Sequence, residues 1–231
     1  MRAILFDVDG TLVQTGEADG PCFAQAYRAV FGQAPSSVSW EDYAHVTDWG
    51  ILDEALGAAR GRSSTLAERR AFEGAYRDAW QQHYESDPSS CTEVPGAAAL
   101  IEEIFADADV VCGVATGGTR AAAQFKLRSV GIDPERLPGA FANDAVTRTA
   151  IVRNAVRALG ASPADVVYLG DGLWDVLTCR ELGMSFVGVA AESSPEMLLA
   201  AGAQSVVRDF SDREAFWKAI GQATPPSASQ A

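Results

Sequence analysis

Asp7 and Asp9 close the first apolar run of the chain, in Ala3-Ile4-Leu5-Phe6-Asp7-Val8-Asp9-Gly10-Thr11. An ionised carboxylate is stable out of water only beside a cation or hydrogen-bond donors. Two of them, two residues apart at the end of a buried strand, imply a metal, a shared proton, or both. Two later apolar runs end in matching chemistry. Thr116 follows residues 110–115 and precedes Gly117-Gly118, and Asp171 follows residues 166–170 with Asp175 four positions on. A hydroxyl and a glycine pair at a helix start form an anion cradle, because the first amides of a helix lack partners and favour a phosphate. The carboxylates suit Mg²⁺, which prefers a few acidic oxygens together with water and substrate phosphate. Taken together, the three strand ends point to phosphoryl transfer.

The elements that must position these groups follow from periodicity. Short apolar, β-branched runs at 3–6, 110–115, 166–169 and 186–189, with a weaker one near 140–142, alternate with helical patterns. Continuous apolar strands alternating with helices predict an α/β fold, a Rossmann-like doubly wound parallel sheet. In such a sheet ligands bind at the carboxyl ends of strands where strand order reverses. Residues 16–90 read differently, with helical stretches at 22–31, 40–45, 51–60 and 66–84 and no convincing strand. Aromatics spaced by three to four residues (Phe23, Tyr27, Phe31; Phe72, Tyr76, Trp80) read as the core of a small helical unit. The expected organisation is an α/β core of residues 1–15 and 91–220, an all-helical cap domain of 16–90 inserted after the first strand, and a flexible tail of 221–231 rich in Pro, Ser and Ala.

Composition narrows the partners. The 231 residues carry 18 Lys plus Arg against 31 Asp plus Glu, a net charge of −13. That charge disfavours nucleic acid and anionic membrane as partners, so neither is expected. No apolar stretch approaches the roughly 20 residues of a membrane span. No signal peptide is read at the N-terminus, and Cys22, Cys91, Cys112 and Cys179 lack CxxC spacing and read as free thiols. The expectation is a cytoplasmic protein, a monomer or homodimer.

With these motifs in place, the chain resembles the haloacid dehalogenase superfamily of phosphatases over essentially its whole length. The resemblance rests on Asp7-Val8-Asp9-Gly10-Thr11, on Thr116, on Gly170-Asp171 followed by Asp175, and on the helical insertion between the first two motifs. The runs Gly170-Asp171-Gly172-Leu173-Trp174-Asp175-Val176 and Leu182-Gly183-Met184-Ser185-Phe186-Val187-Gly188-Val189 are most similar to the phosphoglycolate-phosphatase-like branch. The resemblance implies that Asp7 is a nucleophile forming an aspartyl-phosphate, and that Asp9 protonates the leaving oxygen and then deprotonates water. It implies Mg²⁺ held by Asp7, the backbone carbonyl of Asp9 and Asp171, with Asp175 in support. It also implies phosphoryl oxygens held by Thr116 and the Gly117 amide, with Gly10, Thr47 and Asp48 in substrate binding.

One feature departs from the family. A basic residue, usually Lys before Pro, is expected ahead of the 166–170 strand, but residues 141–149 contain neither Lys nor Pro. Arg148 and Lys126 are the two candidates for its role. Lys126 is conspicuous as a charge on an otherwise apolar helical stripe with Ala122 and Val130, and Lys218 is the only other lysine. Asp9 argues against dehalogenation, since dehalogenases of the superfamily lack an acid there. The absence of Lys from residues 1–125 argues against the cap-lysine phosphonate hydrolases. A sugar phosphomutase and a non-catalytic protein of the same fold are the remaining alternatives. The expected substrate is a small phosphorylated metabolite with a polar or anionic leaving group, and Arg60 and Arg62 are candidates to meet a second anion. His45 and His83 have no ligand-like spacing and are not read as metal ligands.

Overall fold

In chain order the strands are β1 (Arg2–Phe6), β2 (Val13–Gln14), β3 (Thr92–Glu93), β4 (Val110–Ala115), β5 (Gly139–Ala140), β6 (Val166–Gly170), β7 (Ser185–Val189) and β8 (Val206–Val207). The helices are α1 (Asp19–Phe31), α2 (Asp48–Arg60), α3 (Leu66–Ser86), α4 (Ala97–Ala106), α5 (Arg120–Ser129), α6 (Arg148–Ala158), α7 (Leu173–Leu182), α8 (Pro195–Ala200) and α9 (Arg213–Gln222). The computed structural model describes residues 2–191 and 193–228.

Six strands form one parallel sheet in the order β5-β4-β1-β6-β7-β8. Alternation along β1 divides its side chains between two cores. Ile4 and Phe6 pack with Leu100 and Ile104 of α4, Leu127 of α5 and Phe216 of α9. Ala3 and Leu5 face the other way, with Ile151 and Val156 of α6 and Val176 of α7. Helices thus cover both faces, as the continuous apolar strands require. The chain's connections diverge from β1, which has β4 on one side and β6 on the other. Phe6 pairs with Val114 and with Leu169, so the three strands end level with one another. That register brings Asp7, Thr116 and Asp171 to one sheet edge.

The short antiparallel pair β2–β3 joins the segments that lead out to α1 and back from α3. Helices α1 and α3 pack through Phe23, Phe72 and Tyr76, with Phe23 and Phe72 ring centroids 4.8 Å apart. The apolar cluster of the α4 face continues without a break through Val8, Leu12 and Cys91 into these aromatics. The start of α3 is fixed by a capping box of Thr65 and Glu68.

Two expectations are corrected. Residues 40–45 form only a single tight turn at Trp40–Asp42. The Ala44 and His45 amides donate to Glu54 of α2, each at 3.0 Å, and Tyr43 is extended with its hydroxyl on the Ser37 carbonyl. These bonds take the amides that a continuing helix would use. The segment 221–231 is also not free over its described part. Gln222 still belongs to α9, Phe186 donates to the Thr224 carbonyl at 3.2 Å, and Ser227 donates to the Gly202 carbonyl at 2.9 Å. Residues 229–231 lie outside the described residues. Among the described residues no helix is long and apolar enough to cross a membrane.

Candidate active site

Asp7 lies one residue past β1 and is buried, with its amide donating to Leu169 of β6 at 2.8 Å. The chain then turns back sharply. Gly10 adopts φ +74, a conformation that favours glycine, and its amide donates to Val13 at 2.8 Å. A Cβ there would overlap the Asp171 carboxylate, so Gly10 lets the acids of β1 and β6 approach. One oxygen each of Asp7, Asp171 and Asp175 falls within 4.8 Å of the others. Asp7 Oδ1 and Asp171 Oδ1 are buried and accept no hydrogen bond from any described residue. Burial raises both carboxyls, Asp7 to about 7 against the lowering effect of Arg148, and Asp171 well above its usual value with Asp175 and Asp7 adding to the rise. Two orphaned acidic oxygens in one carboxylate cluster fit a hard divalent cation such as Mg²⁺.

Asp175 fits the ligand role less well. Its Oδ2 accepts from the Gly172 amide at 3.1 Å and caps α7, while its Oδ1 accepts from Arg148 Nε at 2.8 Å and lies 3.1 Å from the Tyr168 hydroxyl. Both oxygens are therefore engaged. Asp9 likewise turns its carboxylate away from the cluster, toward Lys126, and its backbone carbonyl accepts no backbone hydrogen bond among the described residues.

Each of the two basic candidates has a different partner. Arg148 is the first residue of α6, where the Thr147 hydroxyl caps the helix. Its guanidinium pairs with Asp7 as well as Asp175, and Nη1 lies 3.4 Å from the Val46 carbonyl across the cleft. Gly117 leaves room for it, since a Cβ there would stand 2.7 Å from Nη1. Lys126 is 2% exposed, with Nζ 2.7 Å from Asp9 Oδ1, 2.7 Å from Asp19 Oδ1 and 4.4 Å from the centre of the Trp80 ring. Burial disfavours its charge, but Asp19 and Asp9 outweigh burial and hold the ammonium above its ordinary value. Burial raises Asp9, against the lowering by Lys126.

Thr116 is buried and its hydroxyl accepts from the Gly118 amide at 3.1 Å. The Gly117 amide donates to no described residue. The helix start behind it is less open than a phosphate cradle would require. Amides of Thr119, Arg120 and Ala121 already donate to Asp48, Asn143 and Glu73. A Cβ on Gly118 would lie 3.5 Å from Thr116 Oγ1, 3.8 Å from Asp9 Oδ2 and 4.0 Å from Asp48 Oδ2, which places these three groups around one point. Asp7, Asp9, Thr116, Asp48, Lys126 and Arg148 all line the same cavity of about 70 Å³.

The Thr47 hydroxyl does not reach toward a ligand. It accepts from the Gly50 amide as the cap of α2 and donates to the Val146 carbonyl at 2.6 Å, which fastens α2 to the core. Arg60 and Arg62 stand away from the cavity. Arg60 donates to the Phe31 carbonyl at 2.7 Å, and Arg62 pairs with Glu68 at 2.6 Å. Asp19 was not singled out from the sequence. It collects Lys126, the Tyr76 hydroxyl at 2.6 Å and the Trp80 indole at 3.0 Å on one oxygen. The signal for it was Lys126 itself, since a lysine on an apolar stripe needs a buried acid opposite.

The chain is 28% identical to N-acetylmuramic acid 6-phosphate phosphatase of Pseudomonas aeruginosa over 193 residues, 82% of this chain and 81% of that protein. It is 25% identical to pyrophosphatase PpaX of Bacillus velezensis over 200 residues, 82% and 83% of the two chains. The crystal structure of a hydrolase from Pseudomonas syringae superposes with a TM-score of 0.69 at 21% identity, covering 90% of this chain and 94% of that one, a likeness of fold alone. The family model of the haloacid dehalogenase-like hydrolases matches residues 1–183, and the chain belongs to that family.

Proposed function

We propose that this hydrolase is an Mg²⁺-dependent phosphatase that cleaves small phosphate monoesters through an aspartyl-phosphate on Asp7. The observation that carries the reading is the pair of orphaned oxygens on Asp7 and Asp171 beside a cavity that also holds Thr116 and Asp9. One curated relative is named a phosphatase and another a pyrophosphatase, which supports a phosphate substrate. Asp7, Asp171 and the Asp9 carbonyl would hold the ion, with Asp175 orienting Arg148 rather than binding directly. The bound cation neutralises charge so that a carboxylate and a phosphate can approach one another.

The chain's own residues divide the remaining work. Arg148 fixes Asp7 and presents positive charge to the phosphoryl group. Thr116 and the Gly117 amide donate to its oxygens. Asp9 gives a proton to the leaving oxygen and removes one from the water that releases the phosphate. Lys126 holds Asp9 in place from outside the reacting atoms.

Phosphate release from a panel of phosphorylated metabolites with Mg²⁺ tests the reading. Asp7→Asn is expected to lower kcat at least about 1,000-fold, and Asp9→Asn about 100-fold or more. Wild-type turnover by Asp7→Asn would remove the nucleophile assignment. Isomerisation that requires a bisphosphate activator, without net phosphate release, would favour a phosphomutase instead.

A further inference from the structure

Among the described residues that line the cavity, no positive charge is unmatched. Lys126 is matched by Asp9 and Asp19, and Arg148 by Asp7 and Asp175. The lining also includes Asp48, Tyr76, Trp40 and Ile51. Arg60 and Arg62, the residues that could have met a second anion, are engaged elsewhere. Asp48 is only 6% exposed, its Oδ2 accepts from the Thr119 amide at 2.5 Å, and its Oδ1 has no partner among the described residues. Asp9 Oδ2 and Asp48 Oδ2 lie 3.8 and 4.0 Å from the same point above Gly118, so a leaving oxygen protonated by Asp9 emerges beside the Asp48 carboxylate, whose Oδ2 is engaged and whose Oδ1 remains for a ligand.

We infer that Asp48 is a specificity residue that hydrogen-bonds a hydroxyl of the leaving group, and that the enzyme selects uncharged, hydroxyl-bearing phosphate esters over those with a carboxylate or a second phosphate. This rests on the phosphatase reading. A hydroxyl can donate to or accept from Asp48 in either protonation state. A leaving group with its own negative charge finds no unmatched cation among the described lining residues, and meets the carboxylates of Asp19 and Asp48 instead.

The test compares kcat/KM, with Mg²⁺ present, for glycerol 1-phosphate and ribose 5-phosphate against phosphoglycolate and pyrophosphate. The uncharged leaving groups are expected to lead by at least about tenfold, the scale of one buried hydrogen bond and a rejected charge. In Asp48→Ala, kcat/KM for glycerol 1-phosphate is expected to fall about tenfold more than kcat/KM for phenyl phosphate, which has no hydroxyl to offer. Phosphoglycolate or pyrophosphate turned over as well as the polyol esters overturns the inference and leaves the phosphatase reading standing. A parallel fall for both esters in Asp48→Ala overturns the role of Asp48. No phosphate release from any of these esters removes the phosphatase reading and the inference with it.

Discussion

Arg148 is one of the two residues expected to serve where the resembled family usually has a lysine, and its reach is a matter of geometry. Its planar fork reaches Asp175 with Nε, Asp7 with Nη2 and the Val46 carbonyl with Nη1. A lysine ammonium is a single point and cannot span that set. Arg148→Lys is therefore expected to keep the fold and lower kcat/KM about tenfold or more, read by steady-state kinetics. Lys126 faces the opposite problem. It is buried between two carboxylates, and removing one partner of such a pair leaves uncompensated charge. Lys126→Met is expected to destabilise the protein by about 3 kcal/mol in chemical denaturation, with Asp19→Asn in the same chain recovering part of the loss. Full stability in the single variant would mean that Asp9 and Asp19 need no counter-charge.

At the level of elements, the starts of α2, α5 and α6 meet at the cleft. The first amides of α5 are taken by Asp48, Asn143 and Glu73, so α2 and α3 share the positive end of that helix. Helix α2 begins at Thr47, whose one hydroxyl both caps α2 and bonds the core at Val146. Thr47→Val is expected to cost about 1 kcal/mol as a lost cap, seen in thermal unfolding, and to raise KM because α2 is no longer held over the cavity. An unchanged KM would mean that Asp48 and the Gly117 carbonyl, 2.8 Å from the Asp48 amide, suffice to position the helix. The turn at Gly10 is a second such device. Gly10→Ala strains a left-handed residue and pushes on Asp171, so weaker Mg²⁺ activation is the expected outcome.

For the molecule as a whole, buried acids make stability depend on pH. Burial pushes Asp48 up to about 8, and Asp19 adds to the rise. Asp7 is raised to about 7, again by burial first. A carboxyl whose folded value exceeds its unfolded one keeps a proton that the unfolded chain has released. Stability from that source is full below the unfolded value near 4 and is lost as pH rises through the folded value. The metal-free protein is expected to lose thermal stability from pH 5 to pH 8, and Asp48→Asn to flatten that slope. Mg²⁺ should raise the unfolding temperature more at pH 8 than at pH 5, because it binds the ionised form of Asp7. A slope unchanged by Asp48→Asn would place the pH dependence in Asp7 and the general net charge of −13 instead.

The strands and the three chemical groups at their ends were legible in the sequence because they are local. An apolar run, a following acid or hydroxyl and a glycine lie within ten residues, and side-chain alternation decides which way each strand faces. The helical insertion was legible for the same reason, through aromatic spacing. What the tertiary structure decided were pairings over long separations. Arg148 meets Asp7 across 141 positions and Lys126 meets Asp19 across 107, so local pattern can flag Lys126 as needing an acid but cannot say which acid supplies it. The helix expected at 40–45 failed because Glu54, ten positions on from Ala44, takes the amides that it would need. The sequence by itself determined which groups reach the sheet edge. Only the packing of α1–α3 and α5–α7 around that edge decided which of those charges neutralise one another and which oxygens are left without a partner among the described residues.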